Sequence, residues 1–105
     1  MTKFSKANWL PRKLEEHLTI VGEQFRLARL RRNLTIEQVA DRAQCSRLTV
    51  GKLEKGGATV SLGVVLRVLY ALQLDDDILH LAQDDKLGRL IQDVNLKNRK
   101  RASKK

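Results

Sequence analysis

The feature that most constrains the fold is a pair of short helical patterns separated by only three residues. The first pattern, Ile36–Ala43, has apolar residues at positions i, i+3, i+4 and i+7, which share one face of an α-helix. The second occupies about residues 47–55 and ends before a pair of glycines. So short a connection makes the two helices cross closely, and the small side chain of Ala40 leaves room for that crossing.

The residues that precede each pattern are typical helix starts. Thr35 precedes the first pattern and Gln38 follows it three residues later, which is the spacing of a capping box. Ser46 precedes the second pattern and is a favoured N-cap residue. Asn33 tolerates the left-handed conformation and is expected to end an earlier helix. These signals predict two separate helices around the turn at residues 44–46.

Helical periodicity recurs along the rest of the chain. Period-two alternation is not sustained anywhere, and the only proline is Pro11, so we predict an all-α fold. Further helices are expected at residues 11–18, 20–32, 62–72 and 76–82, with an amphipathic segment at 87–94. We divide the chain into an N-terminal extension (1–18), a helical domain (19–83), and an amphipathic segment with a basic tail (84–105).

Charge is distributed unevenly along the 105 residues, whose formal net charge is +9. Residues 19–67 hold nine basic and four acidic side chains, whereas residues 75–85 hold five aspartates and no Lys or Arg. Residues 97–105 hold six basic side chains and no acidic one, so this tail is expected to stay flexible until it meets an anion. An anionic partner is the natural expectation for such a chain.

Several functional classes find no support in the sequence. A single cysteine, Cys45, excludes a disulfide framework and a cysteine-based zinc site. His17 and His80 are far apart and have no metal partner at helical spacing, and the chain lacks a nucleophile–base set and a P-loop. We therefore expect no enzyme activity, no metal and no cofactor. No stretch is apolar enough for a membrane span, and we expect a cytoplasmic, nucleoid-associated protein.

The two patterns and their turn form a helix-turn-helix arrangement, in which the second helix enters the DNA major groove. Val50 and Leu53 would face inward and fix the orientation of this helix. The residues then expected to contact bases are Arg47, Leu48, Thr49 and Lys52. A guanidinium can donate two hydrogen bonds to a guanine, and an apolar side chain can pack on a thymine methyl group. The residues expected to contact phosphates are Ser46, Gln38, Lys55, Arg42 and Thr59.

Residues 21–74 resemble the XRE family of phage-repressor-like helix-turn-helix regulators. The matching residues, in matching spacing, are Arg29, Leu34, Thr35, Val39, Ala40, Ser46, Val50, Glu54, Gly56, Ser61, Ala71 and Leu72. The resemblance implies a five-helix, lambda-repressor-like domain and a structural ion pair between Arg29 and Glu54. The chain departs from the family pattern at Ile36, where a phosphate-binding glutamine is common, and at Gly51, which lies inside the second helix.

Residues 75–105 are similar to a second, narrower group. They combine an acid-rich segment, the pair Asp84-Asp85, the pair Leu87-Gly88 and a basic end, as HipB-type antitoxins do. This resemblance implies a homodimeric repressor that binds an inverted-repeat operator in double-stranded DNA. It also implies a HipA-like serine/threonine kinase toxin as partner, in some members together with a further small antitoxin protein.

Two other functions remain open on the sequence. A phage repressor or a restriction–modification controller would share the DNA-binding surface and differ only in its neighbouring genes. A protein-interaction adaptor would use the helix-turn-helix as a scaffold and would form salt-insensitive complexes with protein alone.

Overall fold

The computed structural model describes residues 9–103 and contains no β-strand within them. Its elements, in chain order, are α1 (Arg12–Arg31), α2 (Ile36–Ala43), α3 (Arg47–Glu54), α4 (Leu62–Ala71), a 3₁₀ helix (Asp75–His80) and α5 (Lys86–Ser103). The all-α prediction is confirmed. None of the helices in this part of the chain is long and apolar enough to cross a membrane.

Helix α1 is continuous, so the prediction of two helices at residues 11–18 and 20–32 was wrong. Pro11 takes the N-cap position, and no glycine or proline interrupts the chain between the two predicted segments. Thr19 lies at the expected break, yet its hydroxyl donates a hydrogen bond to the Glu15 carbonyl oxygen at 3.1 Å. This bond runs four residues back along the helix, so the hydroxyl is satisfied without an interruption of the helix.

The spacing of Val21, Phe25 and Ala28, at i, i+4 and i+7, predicts the inner face of α1, and the structure differs from this stripe at one residue. Phe25 and Ala28 are buried as expected, but Val21 is 40% exposed and Gly22 is buried beside it. A Cβ atom on Gly22 would lie 2.5 Å from the carbonyl oxygen of Glu54. The glycine therefore allows the backbones of α1 and α3 to approach each other closely.

Both predicted caps are present around the turn. The Thr35 hydroxyl accepts a hydrogen bond from the Gln38 backbone at 3.0 Å, and the Gln38 side chain accepts one from the Thr35 backbone at 2.9 Å. Gln44 ends α2 in the left-handed conformation with φ of 56°. Ser46 then caps α3 by accepting a hydrogen bond from the Thr49 backbone at 3.1 Å. The turn is thus closed by local hydrogen bonds on both sides.

The core lies between helices α1 to α4 and is built from aliphatic side chains and one phenylalanine. Its buried members are Phe25, Ala28, Val39, Ala40, Ala43, Val50, Leu53, Val68, Ala71 and Leu72. Val50 is fully buried, and Leu72 is 1% exposed. Because α3 packs against both α1 and α2, its direction is fixed by two neighbouring helices.

The chain beyond α4 departs from the sequence predictions. The segment predicted as a helix at 76–82 is a 3₁₀ helix without a buried residue or a side-chain cap. Short helical connectors of this length commonly adopt the 3₁₀ form. The basic tail predicted to be flexible from residue 97 is helical as far as Ser103, as the end of α5. Its Lys and Arg residues are good helix formers and lie at the negative end of the helix dipole.

Candidate nucleic-acid interface

Helix α3 has one buried and one exposed face. Val50 and Leu53 lie in the core, whereas Leu48 is 73% exposed. The side chain of Arg47 is 71% exposed, and Lys52 is exposed one turn further on. The four residues predicted to contact bases differ in exposure. Arg47, Leu48 and Lys52 are exposed, whereas Thr49 is half-buried at the edge of this face. Arg47, Leu48 and Lys52 together form what we call the outer face of α3.

This outer face forms one wall of an open groove with a volume of about 790 Å³. The opposite wall consists of the end of α1, the following loop and the first turn of α2. Leu30, Leu34 and Ile36 are apolar residues of its lining, and Lys55 is a further basic one. The groove therefore combines basic and apolar side chains, which suits contacts with phosphates and with base edges or thymine methyl groups.

Glu37 is a member of this groove that sequence reasoning missed. Its carboxylate accepts a hydrogen bond from the Arg47 guanidinium at 3.2 Å, and both side chains are more than 70% exposed. So exposed an ion pair contributes little to stability, and a stronger acceptor can replace it. No local pattern in the sequence signals this contact, because it joins side chains ten residues apart on two separate helices.

Three residues predicted to contact DNA, namely Ser46, Thr49 and Gln38, take part in the N-terminal caps of α3 and α2. The Thr49 hydroxyl lies 2.9 Å from the Ser46 hydroxyl, so both are held at the N-terminus of α3. Gln38 is exposed, but its side-chain oxygen is engaged with the Thr35 backbone, which leaves its NH₂ group available to an anion. These side chains lie at helix N-termini, where backbone N–H groups and the dipole favour phosphate.

Two other predicted phosphate contacts lie outside the groove. Arg42 is exposed on α2 and lines a separate depression with Tyr70 and Gln73. Thr59 is exposed in the loop between α3 and α4. The structure thus groups Arg47, Leu48, Lys52 and Lys55 around one groove, and places Arg42 and Thr59 beyond its lining.

Arg29 and Glu54 form a double hydrogen bond beneath this surface. The guanidinium donates to the two carboxylate oxygens at 2.7 and 3.0 Å, and also to the Leu34 carbonyl oxygen at 3.0 Å. The two side chains are only 11% and 8% exposed. The hydrogen bond to Glu54 raises the pKa of Arg29, although desolvation acts in the opposite direction. The pair ties α1 to the end of α3 and neutralises a carboxylate close to the groove.

A second arginine supports the turn from the opposite side. Arg67 on α4 donates a hydrogen bond from Nε to the Ala43 carbonyl oxygen at 2.9 Å, at the end of α2. Cys45 is half-buried in the turn, and desolvation raises the pKa of its thiol although Arg67 lowers it. A thiol with a raised pKa is a poor nucleophile, which agrees with a packing role. The sequence did not reveal Arg67, because a bond across 24 residues leaves no local pattern.

Comparison with known proteins agrees with this geometry. A family model described as a helix-turn-helix domain matches residues 20–81, more than half of the chain. The chain belongs to this family. The family is XRE-like, which agrees with the resemblance seen in residues 21–74, and membership indicates a DNA-binding regulator. Proteins of the family are typically not enzymes. No curated protein and no solved structure matches the chain.

Proposed function

We propose that this protein is a sequence-specific transcriptional repressor that contacts operator bases with the outer face of α3. The observation that carries the proposal is the asymmetry of α3. Its inner face is held by the core, while Arg47 and Lys52 project into a groove of suitable chemistry. Side chains on a rigid, capped helix arrive at the DNA already oriented, so little conformational entropy is lost on binding. Leu48 and Thr49 complete the set of base contacts.

Phosphate contacts in this proposal surround the groove. Ser46 and Gln38 lie at the N-termini of α3 and α2, and Lys55 lines the groove. Arg42 and Thr59 are more distant and would contact phosphates on the flanks of the site. Such contacts position the protein and set the salt dependence of its affinity, but they do not specify sequence.

The biological role we propose is that of a homodimeric autoregulator in a toxin–antitoxin operon with a HipA-like serine/threonine kinase. The support for this finer role is the resemblance of residues 75–105 to HipB-type antitoxins. A homodimer would place its two α3 helices in successive major grooves, about 34 Å apart, on an inverted repeat. The kinase, with or without a further small antitoxin protein, would be the protein partner.

Selection from a randomised pool of DNA duplexes tests the DNA-binding proposal, because the pool contains every candidate operator sequence. Wild-type protein is expected to enrich an inverted repeat, and its affinity is expected to fall steeply with salt. The control for a loss of positive charge outside the groove is Arg12→Ala, whose side chain is 92% exposed at the start of α1. This variant should enrich the same sequence as wild type. Failure to enrich any sequence would contradict the proposal.

The toxin–antitoxin role has its own test. The tagged full-length chain is co-expressed with the protein encoded next to it and purified at high salt. Retention of a HipA-like kinase, together with reduced kinase toxicity in cells, is the expected result. If DNA binding is confirmed and the neighbouring gene encodes no kinase, the role as repressor stands and the role as antitoxin fails.

A further inference from the structure

Helix α5 contrasts with helices α1 to α4 because none of its described side chains is buried. Residues 86–99 are all exposed, apart from the half-buried Gly88. Four apolar side chains on one side of the helix remain 51–67% exposed, namely Leu87, Leu90, Ile91 and Val94. Their spacing places them in a single stripe along two turns. We call them the α5 stripe.

A helix of this kind requires a partner. Helix α5 has 18 residues, and helices in proteins derive most of their stability from packing of an apolar face rather than from propensity. The N-terminus of α5 is locally well formed, since the Asp85 carboxylate accepts a hydrogen bond from the Gly88 backbone at 2.9 Å. Local capping is therefore present, while the tertiary contacts that would cover the stripe are not provided by α1 to α4.

We propose that the α5 stripe is covered by the α5 stripe of a second copy of this chain, with the two helices antiparallel. The distribution of charge along α5 carries this assignment. The helix follows an acidic pair, Asp84 and Asp85, and ends in a basic run from Lys97 onward. Antiparallel association brings the acidic pair that precedes each helix towards the basic end of the other helix, whereas parallel association would bring both basic ends together.

The charged residues beside the α5 stripe also favour antiparallel association. Lys86 and Asp93 are seven residues apart, so they lie on the same side of the stripe, two turns from each other. An antiparallel arrangement centred on the stripe places Lys86 within a turn of Asp93 of the second copy, and this contact occurs twice by symmetry. A parallel arrangement would instead place this flank against the opposite flank of the stripe in the second copy, where Gly88 and Asn95 lie and the helix has no acidic residue to pair with Lys86.

This inference deepens the proposed function, because it supplies the surface for the homodimer and rests on that proposal for its biological use. The test itself needs no DNA. Sedimentation equilibrium of the full chain over a range of concentrations is expected to show a monomer–dimer equilibrium. Leu90→Ala should raise the dimer dissociation constant about tenfold or more, since each copy loses apolar contacts. Gln92→Ala, on the side away from the stripe, is the matched control and should leave the constant unchanged.

Charge reversal tests the antiparallel direction. Lys86→Glu should weaken dimerisation about threefold or more, because two attractive pairs become repulsive. The double variant Lys86→Glu/Asp93→Lys exchanges the charges and should restore the wild-type constant. In a parallel dimer, Lys86 faces no acidic residue of the partner helix, so Lys86→Glu would leave the constant about unchanged. A constant unaffected by Lys86→Glu therefore overturns the antiparallel arrangement, and a dimer unaffected by Leu90→Ala overturns the surface.

The result of the dimerisation test does not depend on the result of the DNA-binding test. A chain that is monomeric at every concentration, with or without the substitutions, contradicts the α5 interface even if it binds a half-site. Conversely, a dimer that depends on Leu90 supports the interface even if no duplex is selected. Circular dichroism accompanies each variant, and α5 is expected to lose helicity on dilution as the dimer dissociates.

Discussion

Helices α3 and α5 both present exposed leucine and basic side chains, yet they are stabilised in opposite ways. In α3, Val50 and Leu53 are buried and Glu54 is locked by Arg29, so only the outer face is free. In α5, residues 86–99 have no buried side chain. The same residue types therefore form a rigid contact surface in one helix and an uncovered apolar stripe in the other.

The comparison shows that exposure alone does not identify a functional surface. Leu48 of α3 is exposed because the opposite side of its helix, which includes Leu53, is occupied by the core. The leucines of α5 are exposed because nothing within the described part of the chain covers their helix. The first situation suits a ligand that must meet pre-oriented side chains, and the second suits a partner that contributes the missing half of a core.

The largest expected difference in the free energy of unfolding is between substitutions in the ion pairs of the two helices. Glu54→Ala leaves the Arg29 guanidinium buried without its partner and should lower the free energy of unfolding by about 3–5 kcal/mol. In α5, the Arg89 guanidinium lies 3.7 Å from Asp84, and both side chains are more than 60% exposed. Arg89→Ala should change stability by less than about 1 kcal/mol. Urea denaturation at one protein concentration measures both, and equal effects would refute the contrast.

A matched pair of valine substitutions gives the next largest difference. Val50 in α3 is fully buried, whereas Val94 in α5 is 51% exposed. Val50→Ala should cost about 2–3 kcal/mol through lost apolar burial and the cavity that remains. Val94→Ala should change the stability of the monomer by no more than about 0.5 kcal/mol. Thermal unfolding at low concentration distinguishes them, and a cost for Val94 as large as that for Val50 would mean that α5 packs on the domain.

The smallest effect is expected from the glycine within α3. A Cβ atom on Gly51 would have no neighbour within 4 Å, so Gly51→Ala introduces no clash. It should stabilise the domain by about 0.5–1 kcal/mol through the higher helix propensity of alanine, as measured by urea denaturation. If α3 lies close against DNA, the same methyl group should weaken operator binding even though the fold gains stability. A variant that is less stable than wild type would contradict the open surroundings of Gly51.

The body of the fold could be predicted from sequence because its determinants are local. Thr35, Gln38 and Ser46 define helix starts within a few residues of themselves, and the stripe of α2 is a periodic pattern. The same reasoning failed between Leu18 and Ile20, where a proline-defined start suggested a short helix although no residue there ends one. Helix ends need a positive stop signal, and this segment has none.

The candidate site likewise contains residues that the sequence predicts and residues that only the structure reveals. Arg47, Leu48 and Lys52 follow from the phase of one short helix, so the sequence alone predicts their exposure. Glu37 and Arg67 act across separate helices, and only the crossing of α2 with α3 and α4 reveals them. The extent of α5 was missed for a different reason, since a basic composition is typical of disorder although Lys and Arg also favour helix.

Base-by-base affinities of wild type and Arg47→Ala for the selected operator decide whether α3 reads sequence. Every position of one half-site is replaced in turn by the other three base pairs, and binding is measured at constant salt. We expect Arg47→Ala to lose about 1–3 kcal/mol of binding free energy and to relax discrimination at one position, with the others unchanged. Equal binding of the two proteins to the operator would contradict the claim that α3 contacts bases.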